Sequence, residues 1–292
     1  MNRRTALKTI AGMSMVLACS DQKQQSNSES AASFLAGIGV CTFVENSAIL
    51  KQNGCTFVEE SVSRFLMPLE PEDKFLQVRE NIKSELPVFA CKNFIPKSLP
   101  SVGENAAHQE ILKYAETAFK RANQTGVKVI VFGSGKSREI PDGYDRQKAW
   151  QQFVELLSKM APLAEEQNVT VALEPLNSSE TNFINSLADG IEIVKAVDHP
   201  NIRLLVDIYH MLRENESPEE IIAAAPFIAH CHIAEKEQRT APGTLGDDFT
   251  AYFKVLKQIN YAGHLSMECR WENLQEQLPR AMATLRDQTS RV

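Results

Sequence analysis

The sequence predicts an α/β protein of the eight-stranded (β/α)8, or TIM-barrel, class. Three observations carry that prediction. Short apolar runs recur along the chain, amphipathic stretches of helical period separate them, and there are eight such runs. Strand–helix alternation implies parallel strands with right-handed crossovers, and eight units favour a closed barrel over an open doubly wound sheet. About 259 residues lie from Phe34 onward, close to the usual length of such a barrel.

Ahead of the barrel, Met1-Asn2-Arg3-Arg4-Thr5-Ala6-Leu7-Lys8 is basic, Thr9 to Ala18 is apolar, and Cys19 follows. That is the pattern of a secretory signal, too short for a permanent span. The paired arginines resemble a twin-arginine signal, and Val16-Leu17-Ala18-Cys19 resembles a bacterial lipobox. The expectation is an exported bacterial protein, periplasmic or in the cell envelope, lipid-anchored at Cys19 and touching the membrane only there. Residues 1–19 are then the signal peptide with its lipobox. Residues 20–33 are polar and without apolar period, a flexible tether, and 34–292 form the barrel domain.

The eight strand candidates are Ala36–Thr42, Cys55–Glu59, Pro87–Asn93, Val127–Gly133, Val169–Glu174, Ile202–Asp207, Ile228–Ile233 and Gly263–Cys269. Helical patterns fall between them, clearest at Asn105–Asn123, Asp145–Gln167, Ser186–Val197, Pro218–Ala224 and Thr250–Ile259. A last one covers Leu274–Thr289. Within the second of these, Phe153, Leu156, Leu157, Met160 and Leu163 recur at three-to-four spacing, so one face packs on a sheet. The first two units are the least distinct by periodicity.

Composition narrows the function classes. The formal net charge of −6 argues against a nucleic-acid partner. Without Cys19, the cysteines Cys41, Cys55, Cys91, Cys231 and Cys269 are odd in number and lack zinc-knuckle spacing, so they read as buried small hydrophobes. Gly133-Ser134-Gly135-Lys136-Ser137 suggests a phosphate loop, but Ile130 stands where a P-loop needs glycine; the stretch reads as a rim loop after the fourth strand. His108 in a helix and His199 before Pro200 are not ligand candidates. Trp150 and Trp271 read as packing, with Trp271 close enough to Glu268 to line a pocket.

In a barrel of this class the reactive face lies at the C-terminal strand ends. Strand five ends in Glu174, strand six in Asp207, strand seven carries His230 and His232, and strand eight reaches Glu268. For Asp207 alone the bland reading is a cap on the next helix; three carboxylates and an imidazole on four successive strand ends make a metal site the stronger one. Side-chain alternation puts Ala172 and Ser266 beneath Glu174 and Glu268, which would leave space under the site. His232, nearer the reactive end, is the ligand candidate, with His230 a buried hydrogen-bonded neighbour.

The motifs Leu173-Glu174-Pro175-Leu176-Asn177, Asp207-Ile208-Tyr209-His210, His230-Cys231-His232-Ile233-Ala234-Glu235, Arg239 through Pro242-Gly243, and Met267-Glu268 resemble the xylose isomerase-like barrel superfamily. Val131-Phe132-Gly133-Ser134-Gly135, Arg138 and Pro141-Asp142-Gly143 add to that likeness. The chain is similar in particular to the sugar isomerase and epimerase branch, with ketohexose 3-epimerases, hydroxypyruvate isomerase and inosose-processing enzymes. The resemblance implies one divalent cation on Glu174, Asp207, His232 and Glu268. Three carboxylates and one histidine suit Mn²⁺ first, with Mg²⁺, Co²⁺ or Zn²⁺ also compatible. It further implies substrate contacts from Glu180, His210 and Arg239. Some epimerases place the arginine one position earlier, where Gln238 stands here, which weakens a specific claim for 3-epimerisation.

The chemistry so implied is proton abstraction beside a carbonyl polarised by the cation, through an enediolate, with Glu174 and Glu268 as the acid–base pair. A keto-sugar or related hydroxy-carbonyl compound is the expected partner, and homo-oligomerisation is left open. A lyase or dehydratase on the same class of substrate is the main alternative. A non-catalytic, lipid-anchored sugar-binding protein would not need the complete ligand set. An apurinic-site endonuclease of the same superfamily would need extra histidines on strands two and three, where the sequence has none.

Overall fold

The computed structural model describes residues 34–292; the expected signal and tether lie outside the described residues. Its eight strands are β1 (Gly37–Cys41), β2 (Phe57–Ser61), β3 (Val88–Lys92), β4 (Val129–Phe132), β5 (Thr170–Leu173), β6 (Ile202–Asp207), β7 (Ile228–Ile233) and β8 (His264–Met267). They close a parallel barrel in chain order, with β8 paired back to β1. The sequence-predicted fold class is therefore the observed one. No described helix is long and apolar enough to cross a membrane.

The second strand departs from expectation: it starts at Phe57 and runs on to Ser61. Cys55 N–H donates to the Leu50 carbonyl, which ties it to the end of the preceding helix, Ser47–Gln52, and delays the strand. Glu59 is thereby a mid-strand residue, fully buried.

Helix limits follow their caps. Asp145 accepts from Lys148 N–H at 2.7 Å and starts the helix Arg146–Glu166; Ser186 accepts from Asp189 N–H and starts Leu187–Val197. Gly126, at φ +82°, ends His108–Thr125 in the left-handed conformation a side chain would resist. In Arg146–Glu166 the expected face is the buried one: Phe153, Leu156, Leu157 and Met160 have no or almost no exposure, and Leu163 packs at its edge. Burying such a side chain stabilises by about 1.5–3 kcal/mol, so this outer layer anchors the barrel.

Inside the barrel a smaller apolar group, Ala90, Val129, Val131, Ala172 and Leu205, fills the wall toward β3–β6. Phe89 stacks on His264 with centroids 3.8 Å apart, and Phe57 meets both edge-on. Gly39 makes room for Phe57, since a Cβ there would lie 2.4 Å from its ring. The five cysteines of the described residues are free thiols, all buried but the half-buried Cys269.

Candidate active site

Above the interior aromatic cluster the barrel turns polar. Glu59 reaches the axis from β2 and meets His230 Nε2 at 2.9 Å, His232 Nε2 at 3.0 Å and Ser266 Oγ at 2.6 Å. Burial opposes its charge, but the two imidazoles hold the carboxyl well below the ordinary carboxylate range. The space expected beneath Glu174 and Glu268, over Ala172 and Ser266, is thus partly taken by this carboxylate. His230 is the buried, hydrogen-bonded neighbour the alternation implied.

The Glu59 contact has a consequence for His232. Burial opposes a charge on the imidazole, but carboxylates face both ring nitrogens and hold it protonated, its pKa well above the ordinary value. A cation would exchange for the proton on Nδ1, with Nε2–H kept on Glu59 and Nδ1 turned upward. Nδ1 faces Glu268 Oε2 at 3.1 Å and Glu174 Oε1 at 3.3 Å. One atom each from Glu174, Asp207, His232 and Glu268 lie within 4.8 Å of one another. The four residues predicted at the strand ends are brought together. Gly133 leaves the room Glu174 occupies, because a Cβ there would stand 2.1 Å from its Oε2. Arg138, wholly buried, donates to the backbone carbonyls of Glu174 at 2.7 Å and Phe132 at 3.2 Å and braces the end of β5.

Asp207 caps the next helix and also faces the cluster. Its Oδ1 accepts from Tyr209 N–H at 2.8 Å and caps the helix Ile208–Glu214, while Oδ2 turns toward the cluster, 3.4 Å from His210 Nε2 and from Arg239 Nη2. His210 accepts a hydrogen bond at Nδ1 from Asn177 N–H at 3.0 Å, which leaves the proton of a neutral ring on Nε2. That nitrogen is buried and has no hydrogen-bond partner, as does Glu174 Oε1. His210 therefore offers a donor, not a lone pair, to the pocket.

Arg239 lies on the loop after β7, with φ of +57° following Gln238 at +59°. Buried Glu235 shapes that loop by accepting from Thr240 Oγ1 and the backbone N–H of Gly243, Leu245 and Gly246. The guanidinium stacks on Tyr209, 4.6 Å from its centroid, and reaches Glu268 Oε2 at 2.5 Å and Glu180 Oε1 at 3.4 Å. All three expected substrate-contacting residues border the cluster. Trp271 is half-buried and packs against the apolar core.

Two residues were not foreseen. Glu59 closes the expected second strand, Cys55–Glu59, so the strand-end rule that selected Glu174 pointed to it as well. Lys92 ends β3 and crosses the mouth to Glu268 Oε1 at 2.6 Å. The strand-end rule that selected Glu174 and Asp207 selects Lys92 equally well. Burial would raise the Glu268 carboxyl, but Lys92, Arg239 and His232 together hold it well below its usual value. Glu174 is shifted upward chiefly by its desolvation, with Glu268 adding to the rise and His232 opposing it. The two carboxylates thus differ sharply in proton affinity.

The donor set fits a divalent cation: three carboxylates and one oriented imidazole at mutual coordination spacing, with an orphaned buried oxygen on Glu174. β2 and β3 carry no histidine, so the extra ligands of a three-zinc nuclease are absent there.

Comparison with known proteins agrees with this architecture. The chain is 31% identical over 137 residues to an L-ribulose 3-epimerase of Methylomonas sp., covering 41% of this chain and 48% of that one. It is 29% identical over 177 residues to a putative hydroxypyruvate isomerase of Mus musculus, covering 58% and 62%. These matches span about half the length of the curated relatives. In fold it is similar to a 3-keto-D-glucoside 4-epimerase of E. coli, with a TM-score of 0.70 over 86% of this chain and 99% of that one at 21% identity. The family model described as xylose isomerase-like TIM barrel matches residues 47–288. The chain belongs to the xylose isomerase-like TIM barrel family.

Proposed function

We propose that the protein is a divalent-cation-dependent isomerase or epimerase of a keto-sugar or related hydroxy-carbonyl compound. The observation that carries this reading is the convergence of Glu174, Asp207, His232 and Glu268 at the barrel mouth, ringed by hydrogen-bond donors. A cation held by these four, Mn²⁺ foremost, would polarise a substrate carbonyl and acidify the adjacent C–H.

Glu174 and Glu268 supply the proton chemistry. One carboxylate takes the proton from carbon, and the other returns one to the opposite face, which inverts the centre. Return to the neighbouring carbon moves the carbonyl instead. The donor on His210 Nε2 and the Arg239 guanidinium hold substrate oxygens and absorb the negative charge of the enediolate. Glu180 fixes a further hydroxyl while keeping Arg239 in place. Elimination of a hydroxyl from the same class of sugar is a second reading. Lys92 favours it, since its ammonium, kept charged by Glu268, reaches into the mouth and would stabilise the negative charge of a leaving oxygen.

Ketohexoses, ketopentoses, 3-keto-glucosides and inososes incubated with Mn²⁺-loaded protein, with products resolved by NMR, test the proposal. The expected product is an epimer or an aldose–ketose isomer, lost on chelation; an unsaturated product would select elimination. We propose also that the chain is exported and acylated at Cys19. Loss of palmitate labelling in Cys19→Ala is the expected result, and equal labelling would oppose it.

A further inference from the structure

Cys41 ends β1, beside β8, where Val40 pairs with Met267 immediately before Glu268. It is buried, and its thiol has no hydrogen-bond partner among the described residues. Its sulfur, a ring nitrogen of His232 and a carboxylate oxygen of Glu268 lie within 4.8 Å of one another. Sulfur, imidazole nitrogen and carboxylate oxygen at that spacing are ligands of the kind that hold Zn²⁺ or Cd²⁺, and a thiolate favours such soft ions over Mn²⁺ or Mg²⁺. Beside this group Glu174 Oε1, buried and without a hydrogen-bond partner, stands 3.3 Å from His232 Nδ1.

We propose that Cys41, His232 and Glu268 form a second cation position that selects soft divalent ions and overlaps the oxygen-rich one. A cation entering it exchanges the thiol proton, released to solvent, for a metal–sulfur bond. It must also displace Lys92 or Arg239 from one oxygen of Glu268. Both positions use His232 and Glu268, so they cannot be filled together. Zn²⁺ or Cd²⁺ seated on Cys41 consequently draws two ligands away from the oxygen-rich set and blocks it. This inference concerns metal choice and stands apart from which sugar, if any, is turned over.

The test uses the full chain and Cd²⁺ alone, read by ultraviolet thiolate-to-cadmium charge transfer and by competition against Mn²⁺. Wild type and Cys269→Ser, a control for the neighbouring thiol, should show the band. Cys41→Ser should lose it, with Cd²⁺ affinity falling on the order of tenfold or more, about 1.4 kcal/mol, and Mn²⁺ affinity unchanged. Cys41→Ala provides a second variant should the buried hydroxyl disturb folding, which circular dichroism monitors. No band in wild type, a band that survives in both Cys41 variants, or an equal loss of Mn²⁺ binding would each overturn the proposal.

Discussion

Replacing Glu59 by glutamine removes one charge from the floor of the site while keeping the side chain's size. In wild type its oxygens accept from two imidazoles, with His232 Nε2 at 3.0 Å and His230 Nε2 at 2.9 Å. A glutamine has one acceptor oxygen and one NH₂, so it cannot accept from both rings with the same oxygens. Where the NH₂ faces His232, that ring must accept at Nε2 and carry its proton on Nδ1, which points the wrong atom into the mouth. Partners of a metal-bound histidine are typically worth 10–100-fold in metal affinity, or about 1.4–2.7 kcal/mol. We expect Glu59→Gln to fold and to bind Mn²⁺ more weakly by about that factor in a calorimetric titration. Glu59→Leu strands two imidazole donors and the Ser266 hydroxyl, and should lower urea-unfolding stability by about 3–5 kcal/mol. A Glu59→Gln protein with wild-type Mn²⁺ affinity would refute the claim that Glu59 sets the His232 tautomer.

Other expectations follow from the same geometry. Glu174→Gln and Glu268→Gln should each reduce turnover by about 10²–10⁴-fold with circular dichroism unchanged, and near-normal activity in either would remove it from the acid–base pair. Lys92→Met removes a cation that competes for Glu268 Oε1, so Mn²⁺ should bind about three- to tenfold more tightly, equivalent to roughly 0.7–1.4 kcal/mol; weaker binding would mean that Lys92 holds Glu268 in place for the ion. Burial pushes the Glu216 carboxyl up from 4.5 to about 7, against the opposing hydrogen bond from Leu187 N–H. A carboxyl raised in the folded state favours folding while protonated, so its contribution is present below pH 4.5 and is lost as pH rises through about 7. Melting curves of Glu216→Gln should lack that fall, and parallel pH profiles for the two proteins would contradict it.

The barrel was legible because each of its units must bury one apolar face, and that need writes a period into the residues. Phe153 through Leu163 state it directly. The strand-end acids were legible for the opposite reason: a charge closing an apolar run is costly without a partner, and four such ends in succession imply a shared one. What stayed hidden depends on contacts across the barrel. Glu59 lies 171 residues from His230, and nothing local marks their pairing. The start of β2 two residues late, after a hydrogen bond from Cys55 to a helix end, makes Glu59 a mid-strand residue where the sequence reading made it the strand's last. The two oxygens of Asp207 show another limit. Helix cap and site residue looked like alternatives, yet one carboxylate has an oxygen for each.

The central claim is that Glu174 and Glu268 move a proton on a carbon beside a carbonyl. Solvent-deuterium wash-in measures this directly, whichever product the reaction forms. Mn²⁺-loaded protein in D₂O with the keto-sugar panel should place deuterium at a single carbon next to the carbonyl of at least one sugar. The uptake should disappear on chelation and in Glu174→Gln. Full cation loading with no deuterium entering any of these compounds would contradict the account.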